Sequence, residues 1–136
     1  MEGNGRHNSL VSRIVIRYTL APMHPSPVPP TLPALSARQR LILRLDKARR
    51  PQPFADRGQG LWAALGIAVD APRRRLWVAT AALAEMADAT PADEGRSALV
   101  ALDLASGRAV ARYDLPRDRP HALGDVIVAP SGDVFT

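Results

Sequence analysis

The chain has 136 residues and a formal charge of +5, with 46% hydrophobic, 23% charged and only 4% aromatic residues. That is a globular composition, and its core has to be built from Ala, Val, Leu and Ile rather than from rings. The absence of cysteine excludes a disulfide framework, a thiol nucleophile and a zinc–thiolate site.

The charge is divided unevenly. Residues 1–55 carry nine Arg/Lys against two acids, a balance of +7, while residues 56–136 carry nine Arg against eleven acids, a balance of −2. A basic half can meet nucleic acid or an anionic membrane. Here one Lys stands against seventeen Arg and no aromatic residues interleave them as a stacking platform. No nucleic-acid partner is therefore expected. No membrane association is expected either, because no apolar run approaches the roughly 18 residues of a spanning helix. Arg13 and Arg17 interrupt the one apolar stretch near the start, so no signal peptide is read, and the cytoplasm is the default compartment.

In chain order, residues 1–9 are polar, and Arg13-Ile14-Val15-Ile16-Arg17-Tyr18-Thr19-Leu20 alternates as a strand does. Residues 21–33 hold six of the thirteen prolines, which remove ladder donors and force extended geometry. Residues 1–35 thus read as a basic, Pro-rich, poorly ordered leader, and 36–136 as the domain. Strand-like runs then recur between turn signals: 41–46, 51–55, 66–70, 75–80, 98–103, 109–114, 125–129 and from 133 onward. Residues 80–89 admit a short helix as an alternative. The pattern is all-β and antiparallel, of meander type.

An internal repeat organises these runs. Ala64-Leu65-Gly66 followed by Ala71-Pro72 returns as Ala122-Leu123-Gly124 followed by Ala129-Pro130, an offset of 58, and Trp77 falls opposite Phe135. Leu45-Asp46 returns as Leu102-Asp103, an offset of 57. Four short strands per period of this size are the signature of a β-propeller blade. The expected architecture is one complete blade with a partial blade on either side. Missing blades or self-association would then be needed to cover the blade faces.

In such a meander the short connections 71–74 and 104–108 lie at one end of the sheet. The long connections 56–65, 81–97 and 115–124 lie at the other, where ligands bind on rigid scaffolds. On that end Asp125 is the candidate metal ligand, at the mouth of an inner strand. His121, four residues earlier, is the candidate acid, base or ligand. Trp62 is expected to pack between blades, with a place lining the pocket as the alternative. Glu85, Asp88, Asp93 and Glu94 are expected to stay solvated. Asp70 and Asp103 precede tight turns and are expected to bond turn backbone, and Arg73, Arg74 and Arg75 read as a solvated run on the opposite end. No nucleophile elbow, Gly-rich phosphate loop or His-x-x-x-His pair is present.

The runs GIAVD-APRRRLWVAT, SALVALDLASGRAVARYDLP and HALGDVIVAPSGDVFT are similar to consecutive strands of the six-bladed propellers of the senescence-marker-protein, gluconolactonase and luciferin-regenerating-enzyme family. The phrasing is shared with NHL-type and strictosidine-synthase-like propellers, and it covers residues 40–136. The resemblance implies a lactone hydrolase holding one divalent cation, calcium or zinc, in a central channel, with a lactone or sugar acid as ligand. Its Asn-Gly positions correspond to Leu65-Gly66 and Leu123-Gly124, and its Asn-Asp variant to Gly124-Asp125, so only Asp125 retains a ligating side chain. No Asn follows Asn8. The isolated chain is therefore expected to be inactive as a hydrolase. The alternative is a non-catalytic propeller module that binds a small molecule or protein on its long-loop end.

Overall fold

The alternating apolar runs form strands in a computed structural model, which describes residues 40–136. The strand expected over residues 13–20 and the Pro-rich leader lie outside the described residues. Eight strands follow: β1 (Ile42–Leu45), β2 (Pro51–Ala55), β3 (Ala63–Asp70), β4 (Arg75–Ala81), β5 (Ser97–Asp103), β6 (Ala109–Asp114), β7 (Ile127–Val128) and β8 (Val134–Phe135). They make three antiparallel sheets: the hairpin β1–β2, the four-stranded meander β3–β4–β5–β6, and the hairpin β7–β8. The fold is all-β. Among the described residues its helix is limited to two single 3-10 turns, Arg57–Gln59 and Pro91–Asp93.

Side chains alternate across a strand, so register decides what each face buries. The β4–β5 ladder puts Leu76 opposite Leu102, Val78 opposite Val100, and Thr80 opposite Ala98. All six are fully buried. This face meets Ile42, Phe54 and Ala55 of the first hairpin, together with Leu61, Trp62 and Met86. Each such Leu or Val contributes about 1.5–3 kcal/mol by leaving water. The other face carries Trp77, Ala101 and Tyr113, with Trp77 and Tyr113 stacked at 6.2 Å between centroids. Towards β7 this second face comes close enough to need a glycine. A Cβ on Gly66 would stand 2.7 Å from Asp125 Cα and 2.8 Å from the Gly124 carbonyl oxygen.

The sequence repeat reappears in backbone geometry. The turn after β3 closes with the Arg74 N–H donating to the Ala71 carbonyl at 3.1 Å, and the turn after β7 with Gly132 N–H to Ala129 carbonyl at 2.9 Å. These pairs are 58 residues apart, and both donors have positive φ, 54° and 98°. The turn after β1 repeats after β5 in the same way. Asp46 N–H donates to the Arg50 carbonyl at 3.0 Å, and Asp103 N–H to the Arg108 carbonyl at 2.8 Å. Each aspartate also accepts from the N–H two residues on, at 2.8 Å from Ala48 and 3.1 Å from Ala105. One extra residue in the second turn accounts for the difference between offsets 57 and 58. Hairpin β1–β2 thus repeats β5–β6, and β7–β8 repeats β3–β4.

Three details differ from expectation. β3 begins at Ala63 instead of Gly66, its register shifting between Ala64 and Gly66. β7 is limited to Ile127 and Val128, while Gly124 and Asp125 lie against Gly66 of β3 without joining a ladder. Residues 82–89 form no helix. Ala81 still pairs with Ser97, and the next backbone bond, Ala82 N–H to Arg96 carbonyl at 2.8 Å, keeps the chain committed to the β4–β5 connection.

Candidate functional site

Meander geometry separates the connections as the sequence predicts. At one end the tight turns touch each other: Leu104 N–H donates to the Arg74 carbonyl at 3.0 Å, and Arg73 Nη2 to the Ser131 carbonyl at 2.7 Å. Asp70 accepts from the Arg73 backbone at 3.4 Å and Asp103 from the Ser106 backbone at 2.8 Å, the turn-closing role expected of both. Arg73 is no free surface charge, since it also pairs with the buried Asp70 carboxylate at 3.3 Å. Its run therefore ties one turn to the next.

At the opposite end the connections 56–65 and 81–97 meet at Trp62. The indole is 5% exposed, with the guanidinium carbons of Arg96 and Arg112 at 4.7 and 4.5 Å from its ring centroid. Cations over an indole face are attracted by its quadrupole. Arg112 is held by a two-pronged bond to Asp114, both contacts at 2.9 Å, and also donates to the Gly60 carbonyl. The Arg112 side chain, hydrogen-bonded to Asp114, lowers that carboxyl below its ordinary range. Arg96 is paired with Asp93 at 3.3 Å. Trp62 therefore packs in the core and also anchors Arg112 of β6 and Arg96 of the β4–β5 connection.

Arg40 joins the first and second connections. Its Nε donates to the Leu61 carbonyl at 2.7 Å, and its Nη1 lies 3.0 Å from Asp88 Oδ2, which also accepts from Arg57 at 3.1 Å. The hydrogen bond from Arg40, ahead of that from Arg57, lowers the Asp88 carboxyl. Glu85, Asp88 and Glu94 are exposed, as expected, and Asp93 is half-buried. Asp88 and Asp93 are also the fixed ends of this arginine network, Asp88 across the fold to Arg40 and Asp93 locally to Arg96. No motif marks Arg40, Arg96 or Arg112 in the sequence. Only the long loops themselves pointed to this end.

The two site candidates sit in the third connection and do different things. His121 is a tether: its N–H donates to the Gly95 carbonyl at 2.9 Å, and its carbonyl accepts from Ser97 Oγ at 2.7 Å. Ser97 Oγ in turn accepts from Leu123 N–H at 3.3 Å. The His121 Nε2 is buried and has no hydrogen-bond partner among the described residues. Asp118 Oδ1, at 3.6 Å, pairs with it only when the ring is protonated. A cleft of about 270 Å³ beside it is lined by Glu94, Arg96, Arg117, Asp118 and Arg119 among others.

Asp125 is exposed and stands where β3 and the start of β7 run closest, its Cα against Gly66. Its Oδ1 accepts from its neighbour's N–H, Val126, at 2.8 Å, and its carbonyl accepts from Thr136 Oγ1 at 2.7 Å. A divalent cation of the kind the resemblance implies takes six or more oxygens for calcium, or four N/O/S donors for zinc. No group of three or more His, Cys, Asp or Glu side chains converges among the described residues. Asp125 offers one carboxylate, so the described residues alone do not fit such an ion.

Compared with known proteins, the chain matches no family model, no curated protein and no solved structure.

Proposed function

We propose that this chain is part of a β-propeller whose long-loop end is a ligand-binding surface for a small molecule or a protein. The carrying observation is the repetition of both hairpins and both turns along a stack of three sheets. Radial repetition of four-stranded units is how propellers limit their exposed edges. Supporting the placement of the binding surface, one end consists of tight turns that seal each other, while the other presents long loops. At that end Arg40, Arg96 and Arg112 are fixed by Asp88, Asp93, Asp114 and Trp62. Fixed cationic groups over an apolar floor suit an anionic or polyhydroxyl ligand such as a sugar acid.

The test is amide-resolved NMR titration with sugar acids and their lactones, with and without chelator. The proposal expects shifts confined to residues 56–62, 82–96 and 115–125 and unaffected by chelation. Shifts centred on the turns at 46–50, 71–74, 103–108 and 129–132 would overturn it.

A second reading is metal-dependent lactone hydrolysis. It is favoured by the position of Asp125, an exposed carboxylate beside the inner strand β3 at the point of closest approach. It requires the remaining ligands to come from units outside the described residues. Lactone hydrolysis that depends on added calcium or zinc and disappears in Asp125→Ala would support it. Hydrolysis that survives chelation and this substitution would exclude it.

A further inference from the structure

The four turns opposite the long loops form one continuous surface. Arg44 Nη1 donates to the Ala105 carbonyl at 3.3 Å, Leu104 N–H to the Arg74 carbonyl at 3.0 Å, and Arg73 Nη2 to the Ser131 carbonyl at 2.7 Å. Residues 44–50, 70–75, 103–108 and 129–133 together carry eight Arg/Lys against four Asp. The other described residues carry six Arg against eight acids, so the positive excess is confined to this end. All four aspartates are already engaged within it. Asp46 pairs with Arg50 at 2.9 Å and Asp70 with Arg73 at 3.3 Å, while Asp103 and Asp133 accept from the Ser106 and Ser131 hydroxyls at 2.9 and 2.7 Å. Lys47, Arg49, Arg74 and Arg108 are exposed and form no ion pair among the described residues. Residues 1–39 add four arginines and one glutamate, a composition that cannot neutralise them.

Two of these cations stand where the backbone resists them. Arg49 and Arg74 have φ 61° and 54°, a left-handed conformation that strains any residue with a Cβ. The equivalent positions of the repeated turns are Gly107 and Gly132, so glycine serves these turns. Arg40 also has positive φ, but its side chain bonds the Leu61 carbonyl and Asp88. Arg49 and Arg74 gain no side-chain hydrogen bond among the described residues. Strain kept at an exposed charge is a pointer to function.

We infer that this end is an interaction surface for an acidic segment of another protein. A guanidinium fork matches a carboxylate, as Arg50 and Arg73 show within the patch itself. A single exposed pair contributes little, so the partner has to bring several carboxylates on one chain. None of the large exposed apolar side chains among the described residues, Tyr113 and Phe135 included, falls in these turns. The surface thus offers no ring for bases to stack on and no wedge for a lipid surface. The acidic excess at the loop end steers a polyanionic chain towards the turns. This surface lies opposite the loops, and the inference is independent of the ligand reading given above.

The test is fluorescence anisotropy of a labelled oligoglutamate peptide titrated with the full chain. Binding is expected, weakening as salt is raised. Arg49→Gly/Arg74→Gly removes two charges at positions that accept glycine, and is expected to weaken binding about tenfold with the urea midpoint little changed. Lys47→Gln/Arg108→Gln, at positions without backbone strain, is expected to weaken it to a similar extent. No binding, or unchanged affinity in either pair, overturns the inference. Loss of binding in Arg13→Gln/Arg17→Gln overturns the assignment to the turns in favour of the basic leader. Tighter binding to duplex DNA, or to phosphatidylcholine vesicles containing phosphatidylserine, overturns the acidic protein partner in favour of nucleic acid or membrane.

Discussion

Replacing Gly107 by alanine tests whether the first hairpin is packed on the four-stranded sheet as described. Gly107 has φ 73°, and a Cβ there would stand 2.0 Å from the Phe54 carbonyl oxygen and 3.5 Å from its ring. Two costs result. Left-handed backbone costs a residue with a Cβ about 1–2 kcal/mol. Overpacking adds about 1–3 kcal/mol, and here the obstructing atom is backbone of β2, so relief means moving the strand. The expected loss is about 2–5 kcal/mol, a large share of the roughly 5–15 kcal/mol that holds a domain folded. Arg49 is the internal control. It occupies the equivalent position in the repeated turn, has φ 61° and already carries a side chain. Arg49→Gly removes the left-handed cost and adds unfolded-state entropy, leaving a net change within about 1 kcal/mol. Urea unfolding midpoints at unchanged slope give both values. If Gly107→Ala costs no more than about 1 kcal/mol, Phe54 does not lie against this turn and the stacking of the first two sheets is wrong.

Other perturbations address the rest of the account. Leu76→Ala empties a fully buried position between two sheets and should cost about 2–5 kcal/mol in the same unfolding assay. Gly66→Val should detach the second hairpin, read as faster amide exchange across residues 124–136 with the β4–β5 ladder still protected. Asp125→Ala loses only a local bond to Val126 and should shift stability by less than about 1 kcal/mol, so any loss of ligand response in that variant reports the site. The Asp88 carboxyl is held below its ordinary 3.8 by Arg40 and then Arg57, so its link is complete above that value and is lost as pH falls through the lower folded-state value. Acid titration should therefore loosen the contact between residues 57 and 88 below pH 3.8 in the native protein, and Asp88→Asn should abolish that transition.

The strand order and the separation of turns from loops were legible because they rest on local signals. Alternation in Leu76-Trp77-Val78-Ala79-Thr80 and in Ala98-Leu99-Val100-Ala101-Leu102 needs only period-two patterning, and Asp103-Leu104-Ala105-Ser106-Gly107 carries its own turn chemistry. The repeat was legible because the equivalent turns open on the same residues, Ala71-Pro72 and Ala129-Pro130. The arginine network was not legible. Arg40 and Asp88 are 48 residues apart, and nothing local requires either to find the other. The extension of β3 back to Ala63 was missed for a related reason. A register shift at Gly66 lets the strand continue through a residue that reads as its boundary. Trp62 packs in the buried cluster, while its role of holding Arg96 and Arg112 depends on a loop and a strand that meet only in the folded chain.

The central claim is that the sheets stack face to face, β3 of the four-stranded sheet against the residues leading into β7. The most direct measurement is the NOE between the Gly66 and Asp125 Hα protons, since the space where a Gly66 Cβ would stand is 2.7 Å from Asp125 Cα. The account predicts a strong cross-peak that persists in Asp125→Ala, because backbone proximity and not the carboxylate produces it. No cross-peak, with the β4–β5 and β7–β8 ladder contacts intact, would show that the sheets do not stack and would contradict the account.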